Sequence, residues 1–254
     1  MKAIAAIFYR DWRQRMTNAG FVFWDLLAPV AYLLLFGLGF ERMIGGGFVF
    51  EGRVLSYTAF LLPGVIAMVG FTVALNAAWG FYMDKDSGIF HELLTYPITR
   101  AQLLIGKIGF NVLVALAGSA IVVALAVGAL DVRVRWEWLA FAAAVIVVAT
   151  AAWFFAFAVL AIELRRMDSF NTATSAAYIL LMFFSTMFYP VLDLPAWFRV
   201  AAHFNPLTWH VDLLRYALLG TGSPAALAWE AAALAAFALA MLAVGVRALN
   251  RAHQ

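Results

Sequence analysis

Apolar residues run along the chain in long unbroken blocks rather than at alternate positions, and short clusters of Lys, Arg, Asp and Glu separate the blocks. Blocks of this kind predict helices solvated by hydrocarbon, whereas a barrel strand would alternate every second residue. Crossing about 30 Å of hydrocarbon takes roughly 20 helical residues. Six stretches reach that length, which predicts spans at 21–40, 57–81, 108–130, 138–162, 172–191 and 224–246. Asp25 and Pro29 lie near the start of the first span and Glu230 in the first two turns of the last. Ser223 and Pro224 read as N-cap and first helical residue of that last helix. The expected fold class is an all-α integral membrane protein forming a single transmembrane domain over residues 1–254.

Composition changes the picture only by closing alternatives. Of 254 residues, 66% are hydrophobic and 12% charged, with a mean hydropathy of +0.92. That is more apolar surface than one core could hide, so a soluble globule is excluded. The absence of cysteine excludes a disulfide framework, a thiolate metal site and a cysteine nucleophile.

Charge sets the expected orientation. Eleven of the 17 Lys and Arg fall on the side of the termini (Lys2, Arg10, Arg13, Arg15, Lys85, Arg100, Lys107, Arg165, Arg166, Arg247, Arg251) and six on the other (Arg42, Arg53, Arg133, Arg135, Arg199, Arg215). The bias predicts cytoplasmic termini in a multi-pass plasma-membrane protein. The first apolar run starts near residue 21, is of full span length and lacks a small-residue cleavage site after it, so a retained N-terminus is expected.

Three segments carry something other than a span. Residues 1–18 place Ile4, Phe8, Trp12 and Met16 at i, i+4 spacing with Arg10 and Arg13 elsewhere on the wheel, which predicts a basic amphipathic interfacial helix. Residues 84–96 open with Asp84, Lys85, Asp86, Ser87 and Gly88, continue as a short amphipathic helix over 89–94 and stop at Tyr96-Pro97; Thr99 or Arg100 then begins the next helix. That segment reads either as a docking helix or as a hairpin lying on lipid with Ile89, Phe90, Leu93 and Leu94. Residues 195–220 carry Pro195, Trp197, the Asn205-Pro206 pair, Asp212 three residues before Arg215, and a terminal Gly220. They predict two short helices dipping back into the outer leaflet as a re-entrant hairpin, with Asp212 and Arg215 paired on one face.

These segments carry a resemblance. Gly88, Glu92, Leu93, Leu94, Pro97, Arg100, Gly106 and Lys107 on one side, and FYPVLDLP with NPLTWHVDLLRYALLG on the other, resemble the two signatures of ABC-2 type transporter permeases. Those are membrane subunits of bacterial exporters of drugs, lipo-oligosaccharides such as nodulation factors, and surface polysaccharides. The resemblance implies a homodimer working with two copies of a separate ATPase, which would bind ATP and magnesium; no cofactor is expected in this chain. It further implies a passage at the dimer interface near spans one, two and five. The coupling residues it implies are Asp84, Lys85, Asp86, Ser87, Gly88, His91, Glu92, Tyr96, Pro97 and Arg100. Pro195, Trp197, Asn205, Pro206, Asp212 and Arg215 would form an outer gate.

Rival chemistry finds little support. Gly106-Lys107 is preceded by Ala101 and followed by Ile108 where a P-loop has Gly and Ser or Thr, so this chain is not expected to bind nucleotide. No HExxH, nucleophile elbow or midplane carboxylate pair occurs, and an enzyme is not expected. His91, His203, His210 and His253 are divided between the two sides. Asn205-Pro206 separates His203 from His210, which reads as interfacial histidines rather than ligands. Asp25, Glu163 and Glu230, near span ends, are expected to be paired or wetted. An ATP-independent carrier or channel is the competing class.

Overall fold

The computed structural model describes residues 2–17, 20–45, 47–89, 92, 95–96 and 98–251, and it is almost wholly helical. Helix α1 covers Lys2–Met16. The first long helix is composite: α2 (Gly20–Tyr32) passes through a π-helical turn, Leu33–Gly37, into α3 (Leu38–Ile44). A tight antiparallel hairpin follows, β1 (Phe48–Phe50) and β2 (Arg53–Leu55), with Phe50 opposite Arg53. The remaining helices are α4 (Tyr57–Asp86), α5 (Arg100–Leu130), α6 (Leu139–Glu163), α7 (Met167–Phe183), α8 (Ala196–His203), α9 (Pro206–Leu219) and α10 (Pro224–Arg251).

Helix α4 is the axle. Ser56 caps its N-terminus, accepting from the Ala59 N–H at 3.1 Å, and Glu41 accepts from the Thr58 N–H at 3.1 Å, placing a carboxylate on the positive end of the helix. In its most apolar stretch 89% of residues are buried, against 28% for α5 and 22% for α10. Helices α2, α5, α6 and α9 pack around it, and α10 packs on α6 and α9. Helix α6 comes next at 67%, so α4 and α6 form the centre of the bundle while α5 and α10 keep most of their apolar surface on the outside.

Among the described residues five helices are long and apolar enough to cross a membrane: the composite one over Asp25–Met43, then Tyr57–Asp86, Arg100–Leu130, Trp136–Glu163 and Pro224–Arg251. The expected span at 172–191 is replaced by a shorter element. Helix α7 has 17 residues, begins five residues early at Met167 and stops at Phe183, and the chain runs irregularly from there to Pro195. The long helices also overrun their expected ends, since α4 reaches Asp86 and α5 starts at Arg100 behind a capping box of Thr99 and Gln102.

Candidate functional site

Two constellations of polar groups sit at opposite ends of α4. At its C-terminal end Asp84 is only 4% exposed, and Lys107, at the start of α5, is equally hidden. The Lys107 ammonium donates to Asp84 Oδ2, Arg10 Nη2 donates to Asp84 Oδ1 at 2.5 Å, and Asp11 Oδ1 lies 3.7 Å from the Lys107 nitrogen. Two cations and two carboxylates thus join α1, α4 and α5. Burial pushes the Asp11 carboxyl above its usual range against the opposing pull of Lys107 and Arg10.

Apolar packing reinforces that joint. Ile7 is buried against Gly106, where an added Cβ would stand 3.0 Å from the Ile7 Cβ, and Phe8 meets Phe110 edge to face at 5.8 Å. A side chain at Gly106 would force α1 to shift by a few tenths of an ångström. Its docked face centres on Ile7, Phe8 and Asp11, while Tyr9 and Trp12 are exposed.

The next residue of α4 serves a different neighbour. Lys85 Nζ donates to the carbonyls of Ala161 and Ile162, both at 2.7 Å, and of Leu164 at 3.0 Å. These carbonyls end α6, so the lysine supplies donors and positive charge where a helix terminus lacks both. Tyr82 adds a hydrogen bond from its hydroxyl to the Arg165 carbonyl at 3.0 Å and stacks on Phe170 of α7. Of the expected coupling residues, Asp84 and Lys85 therefore face the bundle, whereas Asp86, Ser87, Gly88, Glu92 and Tyr96 are exposed beyond it and Arg100 is half-buried. His91 and Pro97, with Phe90, Leu93 and Leu94, lie outside the described residues.

The opposite end is built around the interrupted helix. Its freed carbonyls find side chains: Asn205 Nδ2 donates to Leu181 O at 2.7 Å and Phe184 O at 2.9 Å, Arg215 Nη2 to Thr186 O at 2.7 Å, and the Tyr57 hydroxyl to Phe188 O at 2.9 Å. Asn205 also accepts from the Leu207 N–H at 2.9 Å, so one side chain caps the end of α7 and the start of α9. Irregular backbone at membrane depth survives on such partners. Gly64 of α4 makes room for it, since a Cβ there would stand 2.5 Å from Met187 Cγ and 3.0 Å from its carbonyl oxygen.

The expected Asp212–Arg215 pair is present. Arg215 Nη1 donates to Asp212 Oδ1, the Thr186 hydroxyl donates to the same oxygen at 2.7 Å, and the guanidinium carbon sits 4.3 Å from the centre of the Phe60 ring. The two arms of the hairpin are unequal. Helix α9 is embedded, with Leu207, His210, Val211, Leu214 and Leu218 buried, while α8 leaves Trp197 and Val200 exposed after its N-cap at Pro195. The two expected short helices are present, one packed in the core and one peripheral.

Two expectations need correction and a third is met. His210 is not interfacial: it is completely buried, and neither ring nitrogen has a hydrogen-bond partner among the described residues. Glu230 is 8% exposed and its Oε2 has no hydrogen-bond partner among the described residues, so the expected pairing is not found there. Asp25 does pair, accepting from Asn76 Nδ2 at 2.5 Å. Sequence reasoning missed Arg10, Asp11 and Lys107 as a joint, and missed Arg53, whose Nη1 donates to the Leu219 carbonyl at 3.0 Å and so caps α9. Nothing local in the sequence links residues this far apart.

The chain's relatives fit this architecture. The sequence profile of the ABC-2 type transporter family matches residues 2–219. Nodulation protein J of Rhizobium leguminosarum bv. viciae is 32% identical over 208 residues, covering 77% of this chain and 74% of its own. Putative transport permease ycf38 of Porphyra purpurea is 26% identical over 216 residues, covering 84% and 71%.

Proposed function

The chain belongs to the ABC-2 type transporter family, and we propose that within it this permease is an exporter subunit moving an amphipathic or lipid-linked molecule outward. Membership makes it a multi-pass membrane transport subunit, itself not catalytic, and implies a partner that binds ATP. In our reading two copies pair in the plasma membrane with two copies of that ATPase, and both termini are cytoplasmic, as the Lys and Arg bias suggests.

The observation that carries the reading is the division of labour after Met83. Asp84 and Lys85 are turned into the bundle and tied to α1, α5 and α6, while Asp86, Ser87, Gly88, Glu92 and Tyr96 stand exposed directly beyond them. A force applied by a partner to the exposed turn would reach three helices through the buried Asp84 and the half-buried Lys85, without bending α4. His91, Pro97 and Arg100 complete the proposed docking segment. At the other end the hairpin of Pro195, Trp197, Asn205, Pro206, Asp212 and Arg215 would govern release.

Purification of the tagged chain from native membranes in mild detergent tests this. We expect a stoichiometric soluble protein with a Walker A sequence, and expect Glu92→Arg to leave membrane insertion intact while uncoupling ATP hydrolysis from transport. Recovery of the chain alone, with flux from the purified chain in proteoliposomes lacking ATP, would establish a carrier instead.

A further inference from the structure

The end of α9 gathers two arginines from other parts of the chain. Arg53, at the start of β2, donates from Nη1 to the Leu219 carbonyl at 3.0 Å, and the Arg135 N–H donates to the Leu218 carbonyl at 2.9 Å. Both guanidiniums then converge on Gly220, which ends the helix at φ 74°. A Cβ there would stand 2.9 Å from Arg135 Nη1 and 3.2 Å from Arg53 Nη1, so the two nitrogens cannot be farther apart than the sum of those distances. Two cations this close repel unless an anion lies with them.

The protein supplies only part of that negative charge. Glu137 accepts from Arg135 Nε at 3.0 Å, and the last carbonyls of α9 carry the negative end of its dipole. Glu51, the next carboxylate along the hairpin, lines the recess that holds Asp212 and Glu230. The Nη edge of Arg135 and the Nε and Nη2 of Arg53 have no hydrogen-bond partner among the described residues. Both groups reach the surface, since the Arg135 side chain is 33% exposed and Arg53 is exposed. Arg135 is also held in place, its guanidinium carbon lying 5.2 Å from the centre of the Trp138 ring and 5.7 Å from that of Tyr216. The result is a fixed planar fork with open donors beside a second one.

The location matters as much as the charge. Arg135 immediately precedes Trp136–Glu163, a stretch long and apolar enough to cross a membrane, and Trp136 is 60% exposed. The pair therefore stands at the boundary where a bilayer presents its phosphates.

We propose that Arg53 and Arg135 form a binding site for a phosphate group, carried by a lipid headgroup or free in solution. One oxygen accepts from the Nη edge of Arg135 and a second from Arg53, a gap that two oxygens of one phosphate cover at hydrogen-bond distance. Glu137 and the two rings fix one fork, and the Leu219 carbonyl fixes the other. A side chain at position 220 would press on both. The site is independent of the direction of transport.

Equilibrium dialysis of the full chain in dodecyl maltoside, a detergent without phosphate, against radiolabelled orthophosphate at constant ionic strength tests the proposal. Saturable binding of a single phosphate per chain is expected. Arg53→Gln and Arg135→Gln are each expected to weaken it about tenfold, the loss of a charge-assisted hydrogen bond, while Arg133→Gln, exposed in the same segment, leaves it unchanged. Because Arg53 also caps α9, Arg53→Lys takes the place of the glutamine variant if that does not fold; it keeps the charge, loses the fork and is expected to bind several-fold more weakly. No saturable phosphate, full affinity in either arginine variant, or an equal loss in Arg133→Gln would each overturn the site. Phosphatidylcholine nanodiscs containing phosphatidic acid identify the source: loss of orthophosphate binding there assigns the site to a lipid headgroup, and persistence assigns it to free phosphate.

Discussion

The two ends of α4 solve the same problem, buried polarity, in opposite ways. Near Asp86 the answers are charges or a helix terminus: Asp84 meets Lys107 and Arg10, and Lys85 meets the last carbonyls of α6. Near Tyr57 the answers go to backbone, because Asn205, Arg215 and Tyr57 donate to carbonyls that the break after α7 sets free. Each end also keeps buried atoms without a hydrogen-bond partner among the described residues, Arg10 Nη1 and Asp11 Oδ1 at the first and Arg215 Nε, Glu230 Oε2 and the Thr221 hydroxyl at the second. The ends therefore differ in what their buried side chains hold: the charges and termini of other helices at the first, irregular backbone at the second.

Removing the centre of the charged end tests that contrast hardest. Asp84→Ala leaves the buried Lys107 with only the more distant Asp11, and the half-buried Arg10 without its carboxylate, and should cost about 3–5 kcal/mol. The checks are a lower thermal midpoint in detergent and faster tryptic cleavage after Arg13 as α1 detaches; unchanged proteolysis would show that apolar packing alone holds the helix. At the other end, Gly64→Ala drives a methyl into Met187, partly against backbone, and should cost about 3 kcal/mol, the upper part of the overpacking range. The exchange rates of the amides after Phe184 should rise if the segment is held as described. Asn205→Ala removes an N-cap and two carbonyl bonds at once, for about 2 kcal/mol, and its effect should be confined to the same amides. A change near α1 would mean the ends are coupled rather than distinct.

The smallest effect is electrostatic. Because burial raises the Asp11 carboxyl, the folded joint holds a proton there more readily than the unfolded chain. Its ionised form therefore weakens the joint above the raised value, and the deficit disappears as pH falls toward 3.8. Asp11→Asn should change neutral stability by less than about 1 kcal/mol and flatten that part of the pH profile; a steeper profile than the unsubstituted chain's would reverse the assignment.

Much of the fold was legible because lipid imposes a simple rule. Charge-free length located α4, α5, α6 and α10, and the cap signals at Thr99, Asn205, Ser223 and Gly220 marked ends that the structure uses. The same rule failed at 172–191, where the residues are apolar enough for a span but the helix ends at Phe183. What ends it lies elsewhere, in Asn205, Arg215 and Gly64. The hairpin at 48–55 had a readable signal, alternating Phe48-Val49-Phe50 before a Glu-Gly turn, with Glu51 at φ 49° and Gly52 at φ 76°. At the candidate site the paired Asp212 and Arg215 followed from helical spacing, while the Asp84–Lys107–Arg10 joint did not, because its members come together only when α1 docks.

The double duty of Asn205 bears on the order in which the protein is made. Until residue 205 has left the ribosome, the carbonyls of Leu181 and Phe184 lack the amide that holds them apart from a continuing helix. The nascent segment is then an uninterrupted apolar stretch through 191, able to enter the bilayer as a whole span. Its break arises afterwards, when α9 arrives. A chain ending at residue 200 should carry this stretch as an ordinary helix, so that glycosylation or cysteine-labelling reporters at 192 would differ between the short and complete chains.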